Sequence, residues 1–261
     1  MNILYAILVL GVMGGVFGLV LAIASQVFRV EKDERLEPVT EALPGANCGG
    51  CGYSGCAAYA QAIVDGTAKL GLCAAGGKES VDKIAAIMGM EPVEMERKVA
   101  LVRCQGTHAA QKGRYDGIRD CAAAAKIAGG GPGRCTYGCL GLGNCVRACP
   151  EGAMSLQDGV ARVDREICVG CMLCQSACPQ GLIEAVPYAQ QVVTPCASRE
   201  KGAVVRKICD VGCIGCKLCE KACQFDAIHV TDNLARIDYS KCTGCGACAE
   251  KCPQHLIVTY K

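Results

Sequence analysis

The pattern of apolar and polar positions changes character along the chain. From Ile3 to Phe28 the run ILYAILVLGVMGGVFGLVLAIASQVF carries no charged residue. At 1.5 Å per residue it is long enough to cross roughly 30 Å of hydrocarbon, which predicts a transmembrane helix. A cleaved signal peptide is the other reading, and Ala22-Ile23-Ala24 resembles a cleavage site. No Lys or Arg precedes the run, however, and a signal peptide needs a positive n-region. Arg29, Lys32 and Arg35 follow the run, which puts the N-terminus outside and everything from Arg29 onward in the cytoplasm. Gly11 with Gly15 and Gly14 with Gly18 have the G-x-x-x-G spacing that lets helices approach closely in lipid, although glycine is also common in membrane helices generally.

Beyond the run, Val30 to Ala46 reads as a charged linker ending in Pro44-Gly45. Ala57 to Val64 has no Gly or Pro and predicts a short helix. Ser80 to Val102 has apolar residues at Val81, Ile84, Ala85 and Met88, then Val93 and Val99, which predicts two amphipathic helices broken near Gly89 and Pro92. Further on, short stretches alternate around Asp158-Gly159 and Asp232-Asn233, both hairpin signals. Short apolar strands follow at Leu182–Val186 and Leu256–Tyr260. The expected class is α+β: an N-terminal transmembrane helix, a small helical module and strand-and-helix modules behind it.

Composition changes this picture in one respect. Cysteine supplies 24 of 261 residues, about 9 per cent, while tryptophan is absent and phenylalanine numbers 3. Large aromatics supply much of an ordinary core, so small modules held by cysteine chemistry fit better than one large core. In a reducing cytoplasm these thiols are available as metal ligands rather than disulfides. Lys+Arg 27 against Asp+Glu 25 leaves a net charge of +2, which argues against nucleic acid as a partner.

The cysteines fall into groups. Asn47-Cys48-Gly49-Gly50-Cys51-Gly52-Tyr53-Ser54-Gly55-Cys56 with Cys73 has four thiolates, enough for one [4Fe–4S] cube, and its glycines let the chain turn tightly around an inorganic core. Zinc is the alternative for four cysteines, but zinc sites more often come as two separated Cys-x-x-Cys knuckles. The C-terminal half is an internal repeat. A shift of 74 superimposes Cys135, Cys139, Cys145 and Cys149 on Cys209, Cys213, Cys219 and Cys223, and Cys168, Cys171, Cys174 and Cys178 on Cys242, Cys245, Cys248 and Cys252. Val160-Ala161-Arg162-Val163-Asp164 likewise matches Leu234-Ala235-Arg236-Ile237-Asp238.

The runs Cys168-x2-Cys171-x2-Cys174-x3-Cys178-Pro179 and Cys242-x2-Cys245-x2-Cys248-x3-Cys252-Pro253 match the bacterial two-cluster ferredoxin run, and the surrounding elements resemble that fold. In such ferredoxins the fourth cysteine ligates the other cluster. The resemblance therefore implies one cube on Cys213, Cys216, Cys219 and Cys252, a second on Cys223, Cys242, Cys245 and Cys248, and a third on Cys149, Cys168, Cys171 and Cys174. The remaining set departs from the pattern. Leu142 stands where Cys216 stands in the second repeat, and Cys135 is the substitute, giving Cys135, Cys139, Cys145 and Cys178. Without it this site becomes a [3Fe–4S] centre. With the N-terminal group, five clusters are expected. Cys104, Cys121, Cys196 and Cys209 are left over. The default for such positions is an ordinary buried cysteine; the alternative is a sixth cluster from these four, which predicts about 24 irons per chain against about 20.

The chain divides on this reading into an anchor (1–28), a charged linker (29–46), an N-terminal [4Fe–4S] domain (47–103), a connector (104–134), a first dicluster module (135–188), a second connector (189–208) and a second dicluster module (209–261). No G-x-G-x-x-G follows an expected strand, the run Gly129–Gly133 lacks the Lys-Ser/Thr of a phosphate loop, and His108, His229 and His255 are scattered, so no flavin or nicotinamide site is read here.

An anchor, a charged linker, NCGGCGYSGC with Cys73 and then ferredoxin-like runs together resemble the B subunits of the Rnf complexes, the ion-translocating ferredoxin:NAD⁺ oxidoreductases of bacterial membranes, in the long form with two dicluster modules. The first-cluster motif alone is also similar to one in corrinoid iron–sulfur proteins. The resemblance covers essentially the whole chain. It implies an electron-transfer subunit of the bacterial cytoplasmic membrane that takes electrons from reduced ferredoxin and relays them to membrane subunits. A separate flavin subunit then reduces NAD⁺, with Na⁺ or H⁺ export by integral subunits. A polyferredoxin subunit of another membrane oxidoreductase, a zinc-binding scaffold and an iron–sulfur sensor are the rival readings.

Overall fold

The computed structural model of the chain describes residues 2–27, 33–106, 117–127 and 130–260, without the side chains of 2–4, 6, 7, 9 and 27. Arg29, Lys32, His108 and Gly129 lie outside these residues. The uncharged run forms helix α1 (Asn2–Val27), 26 residues long with no acidic or basic residue in its terminal turns. Its large apolar side chains are exposed, Tyr5, Leu10, Phe17 and Leu21 among them. Counted over the residues described with their side chains, no helix is long and apolar enough to cross a membrane.

Helix α2 (Leu36–Glu41) falls inside the stretch expected as linker. Leu36, Val39 and Leu43 share a helical spacing, and Val39 is completely buried. They pack with α3 (Cys56–Val64) and α4 (Gly77–Met88) in one apolar cluster around Tyr59 and Ile84. Gly89 closes α4 in the left-handed conformation at φ 66°. The second helix expected before Val102 does not form. Residues 98–102 are instead strand β1 (Lys98–Val102), with Val99 to Val102 all buried. A stretch reading KVALV, buried on both faces, suits a strand better than an amphipathic helix.

The first repeat runs α5 (Cys121–Ala125), α6 (Asn144–Arg147), β2 (Met154–Gln157), β3 (Val160–Val163), α7 (Leu173–Ser176) and β4 (Ile183–Pro187). Then come β5 (Val192–Val193), α8 (Gly202–Ile208), α9 (Leu218–Ala222), β6 (Ile228–Thr231), β7 (Leu234–Ile237), α10 (Ala247–Glu250) and β8 (Val258–Thr259). Both expected hairpins form, β2 with β3 and β6 with β7, each turning through aspartate or asparagine at positive φ. The closing strand of each repeat pairs outside the expected modules. β4 pairs antiparallel with β1, from Lys98↔Pro187 to Val102↔Ile183, and β8 pairs with β5 through Val193↔Val258. Each dicluster unit thus opens with a strand placed upstream of its first cysteine group. In the first repeat that strand is separated from the group by an insertion that includes α5.

Candidate metal centres

Short helices and glycine turns bring the sulfurs of most cysteine groups around a hollow. In the N-terminal module Asn47 sits at φ 47° and its Oδ1 accepts the Cys56 N–H at 2.8 Å. It supplies the cap that Gly55, the residue before α3, lacks. Tyr59, 1% exposed, donates its hydroxyl to the Lys69 carbonyl at 2.9 Å and accepts the Leu72 N–H at 3.1 Å, fixing the loop that leads to Cys73. Cys48, Cys51, Cys56 and Cys73 line one hollow. Burial pushes the Cys73 thiol up; a bond from the Gly76 backbone opposes this, and Cys51, Cys56 and Cys48 beside it add to the rise.

Three more hollows are lined by Cys149, Cys168, Cys171 and Cys174; by Cys213, Cys216, Cys219 and Cys252; and by Cys223, Cys242, Cys245 and Cys248. With the first, these have volumes of about 320–380 Å³. Burial raises Cys174 to about 11 and Cys248 to about 11, in each case with the three partner sulfurs of the ring adding to it. Cys219 reaches about 12, chiefly through burial and, among its neighbours, Cys213, Cys216 and Cys252. Backbone N–H groups donate to sulfur at four of these sites or their neighbours: Ala100 to Cys168, Ala227 to Cys223 and Ala235 to Cys213 at 3.4 Å, and Leu182 to Cys178 at 3.5 Å. Such bonds favour the charged sulfur.

The fourth ring of the repeat differs from the expected set. The sulfur neighbours of Cys145, which burial pushes up to about 12, are Cys139, Cys178 and Cys121, with Cys174 after them. Those of Cys139, raised first by burial, are Cys121 and Cys178. Cys121 is bolted to this ring by its backbone: its N–H donates to Asn144 Oδ1 at 2.9 Å, and Asn144 Nδ2 donates to Asp120 at 2.8 Å. Cys135 stands elsewhere. It lines a larger hollow, of about 620 Å³, together with Cys104, Cys196 and Cys209, with Cys139 of the neighbouring ring at its border. The physical reason is the insertion in the first repeat, which carries Cys121 into the space left by the missing cysteine at Leu142; Cys121 and Leu142 pack together. The signal for it in the sequence is Asp120 before a run of alanines, a helix start that fixes Cys121.

The donor set fits iron–sulfur clusters: sulfur alone, four thiols to a ring, arranged around a hollow. A single zinc draws four donors to about 2.3 Å. Among the described residues no group of three or more His, Cys, Asp or Glu closes on one ion. All 24 cysteines are free thiols.

The rings also touch in sequence. A Cβ at Gly50 would stand 2.9 Å from the Cys171 carbonyl, and Cys171 lines the N-terminal hollow, so the first ring abuts the second. Cys174 neighbours Cys145, joining the second to the ring of Cys121, Cys139, Cys145 and Cys178. The two rings of the second repeat share one apolar cluster.

Residues 43–75 match the family described as a putative Fe-S cluster, and residues 134–182 and 212–256 each match the 4Fe-4S dicluster domain. The fold and its rings of cysteine define a multicluster iron–sulfur protein of ferredoxin type. The B subunit of the Na(+)-translocating ferredoxin:NAD(+) oxidoreductase complex of Acetobacterium woodii is 48% identical over 98% of this chain and 77% of its own length. The B subunit of the ion-translocating oxidoreductase complex of Methanosarcina acetivorans is 45% identical over 97% and 96%. The B subunit of the proton-translocating ferredoxin:NAD(+) oxidoreductase complex of Clostridium ljungdahlii is 42% identical over 98% and 92%. The chain belongs to the family of B subunits of the Rnf, or ion-translocating oxidoreductase, complexes.

Proposed function

We propose that this chain is the electron-carrying subunit of a membrane-bound, ion-translocating ferredoxin:NAD⁺ oxidoreductase. The observation that carries the reading is the succession of cysteine rings from Cys48 to Cys252, which abut from the N-terminal ring through the first repeat and again within the second. A [4Fe–4S] cluster held by such a ring supplies reversible one-electron transfer. The thiols hold the clusters, the N–H groups on sulfur stabilise the charged ligands, and the apolar hollows keep water away. The chain itself carries no complete active site: hydride transfer to NAD⁺ belongs to a flavin subunit of the complex, and ion movement to integral subunits. The names of the relatives divide between Na⁺ and protons, so the ion is left to those partners.

Electrons enter from reduced ferredoxin at the C-terminal repeat. Of all 24 cysteines only Cys216 and Cys245 are exposed, one on each ring of that repeat. They leave through the N-terminal ring, which follows the anchor. On this reading helix α1 serves as the anchor: its 26 residues carry no charge, its described large apolar side chains are exposed, and at 1.5 Å per residue it would span about 39 Å. The basic residues after it put the rings in the cytoplasm and the N-terminus outside.

The test uses the full chain in membranes prepared without air. Reduced ferredoxin should bleach the brown chromophore, and Cys245→Ser should slow that bleaching at least tenfold while dithionite still reduces the remaining clusters. Unchanged rates in the variant would overturn the entry point. A colourless, zinc-containing protein would overturn the whole reading. A tag at the N-terminus should be cut by protease from outside intact cells, and protection would reverse the topology.

A further inference from the structure

We propose that Cys104, Cys135, Cys196 and Cys209 ligate a sixth [4Fe–4S] cluster, standing between the two repeats and joining their clusters. This rests on the iron–sulfur reading above and adds a site to it. Four observations carry it.

The four cysteines line one hollow of about 620 Å³, larger than the four cysteine-lined hollows already described, and the fifth cysteine at its wall, Cys139, belongs to the neighbouring ring. They are also two matched pairs. Cys135 and Cys209 are related by the shift of 74 that superimposes the repeats. Cys104 and Cys196 are related by strand register. Val102 pairs with Ile183, and the position 74 residues beyond Ile183 is Ile257. Val193 pairs with Val258, so one step along that antiparallel ladder sets Thr194 opposite Ile257. Val102 and Thr194 are therefore equivalent, and Cys104 and Cys196 each follow two residues later. Each repeat gives one cysteine beyond its opening strand and one before its first run, and the hollow between repeats receives both pairs.

The pairing also accounts for every sulfur. Cys121 completes the ring of Cys139, Cys145 and Cys178, which releases Cys135. Six rings of four use all 24 cysteines, whereas five leave a group of four thiols facing one another.

The polar setting matches the other rings. The Cys139 N–H donates to Cys104 Sγ at 3.4 Å, as N–H groups do at Cys168, Cys213 and Cys223. Arg103, with a side chain 11% exposed, is the one charged residue lining this hollow among the described residues. Its Nη2 reaches across to the Cys196 carbonyl at 3.1 Å and its Nη1 lies 3.4 Å from Glu184. Glu184 already pairs with this guanidinium, and a cluster on four thiolates would add negative charge on the side that faces the hollow.

The site makes the wire continuous. Cys139 borders the hollow on the first-repeat side, and Cys196 neighbours Cys213 on the second. One electron lost by a cluster of the second repeat reduces the sixth, and its reoxidation reduces the first repeat's ring in turn.

The experiment is iron and acid-labile sulfide per full chain, purified from membranes without air, with spins counted after dithionite reduction. About 24 irons are expected in the native chain and about 20, with one fewer spin, in Cys104→Ser/Cys196→Ser. Cys121→Ser/Leu142→Cys should keep about 24, because the introduced cysteine restores the ring at its standard position. A native count of about 20, unmoved by the double serine variant, overturns the sixth site and leaves the five-cluster carrier standing. Little iron overturns both. If the serine variant fails to fold, the native count alone decides.

Discussion

At the scale of single residues, the N-terminal ring depends on side chains that touch no metal. Asn47 tolerates a left-handed backbone and caps α3 through Cys56. Asn47→Ala removes the cap and one of the residue types that accept that conformation, so it should cost about 1–2 kcal/mol in chemical denaturation of the loaded chain. It should also make the first cluster the earliest lost to a chelator. Gly50 is required for a different reason: its missing side chain is the space Cys171 occupies. Gly50→Ala forces two rings apart. It should leave the iron content unchanged while slowing reduction of the N-terminal cluster from the C-terminal side, as read by rapid-freeze spin resonance.

At the scale of elements, the strand β1 is the join between the N-terminal module and the first repeat. Its five residues pair with β4, and the Ala100 N–H reaches Cys168 Sγ. Gly170, at φ +73°, lies against the Lys98 backbone where a Cβ would collide with the carbonyl. Gly170→Ala is therefore strained twice, by its conformation and by the clash, and should destabilise the loaded chain by about 2 kcal/mol or more, measured as a shift in denaturant midpoint. The same strand marks the limit of what local sequence discloses. The hairpins at Asp158-Gly159 and Asp232-Asn233 and the helix ending near Gly89 are legible, because turn residues act locally. β1 is not, because its partner lies about 85 residues away and only burial against it turns KVALV into a strand. The expected linker hides a helix for a similar reason: Glu34, Arg35, Glu37 and Glu41 around Leu36 and Val39 mask a face that counts only once α3 covers it. The ring cysteines are legible wherever the ferredoxin spacing holds. Cys121 and Cys135 trade places because an insertion outside the motif delivers a thiol that spacing cannot anticipate.

At the scale of the whole molecule, cysteines take the place of a large core. The apolar cluster of the first repeat includes Cys145, Cys168 and Cys174, and that of the second includes Cys196, Cys213, Cys219 and Cys248. Stripping the iron leaves these thiols facing hollows, so the chain from Lys98 onward should lose its cooperative unfolding transition and much of its far-ultraviolet dichroism on chelation, while α3 and α4 retain theirs in part. A second tie holds the two repeats together on another side. Arg165 donates to the Tyr188 and Gln190 carbonyls at 2.6 and 3.0 Å and lies 4.2 Å from the centre of the Tyr260 ring. Gln190 in turn donates to the Cys242 carbonyl at 3.1 Å. Arg165→Ala should cost about 1–3 kcal/mol and loosen the C-terminal pair of rings first, seen as earlier loss of those spins on heating.

The matched pairs Cys104 with Cys196 and Cys135 with Cys209 carry a structural consequence. One repeat by itself supplies one sulfur of each pair and nothing opposite them. The hollow the four enclose takes its walls from both copies. Of the cysteine-lined pockets of the two repeats, it is the one that a single copy could not build alone.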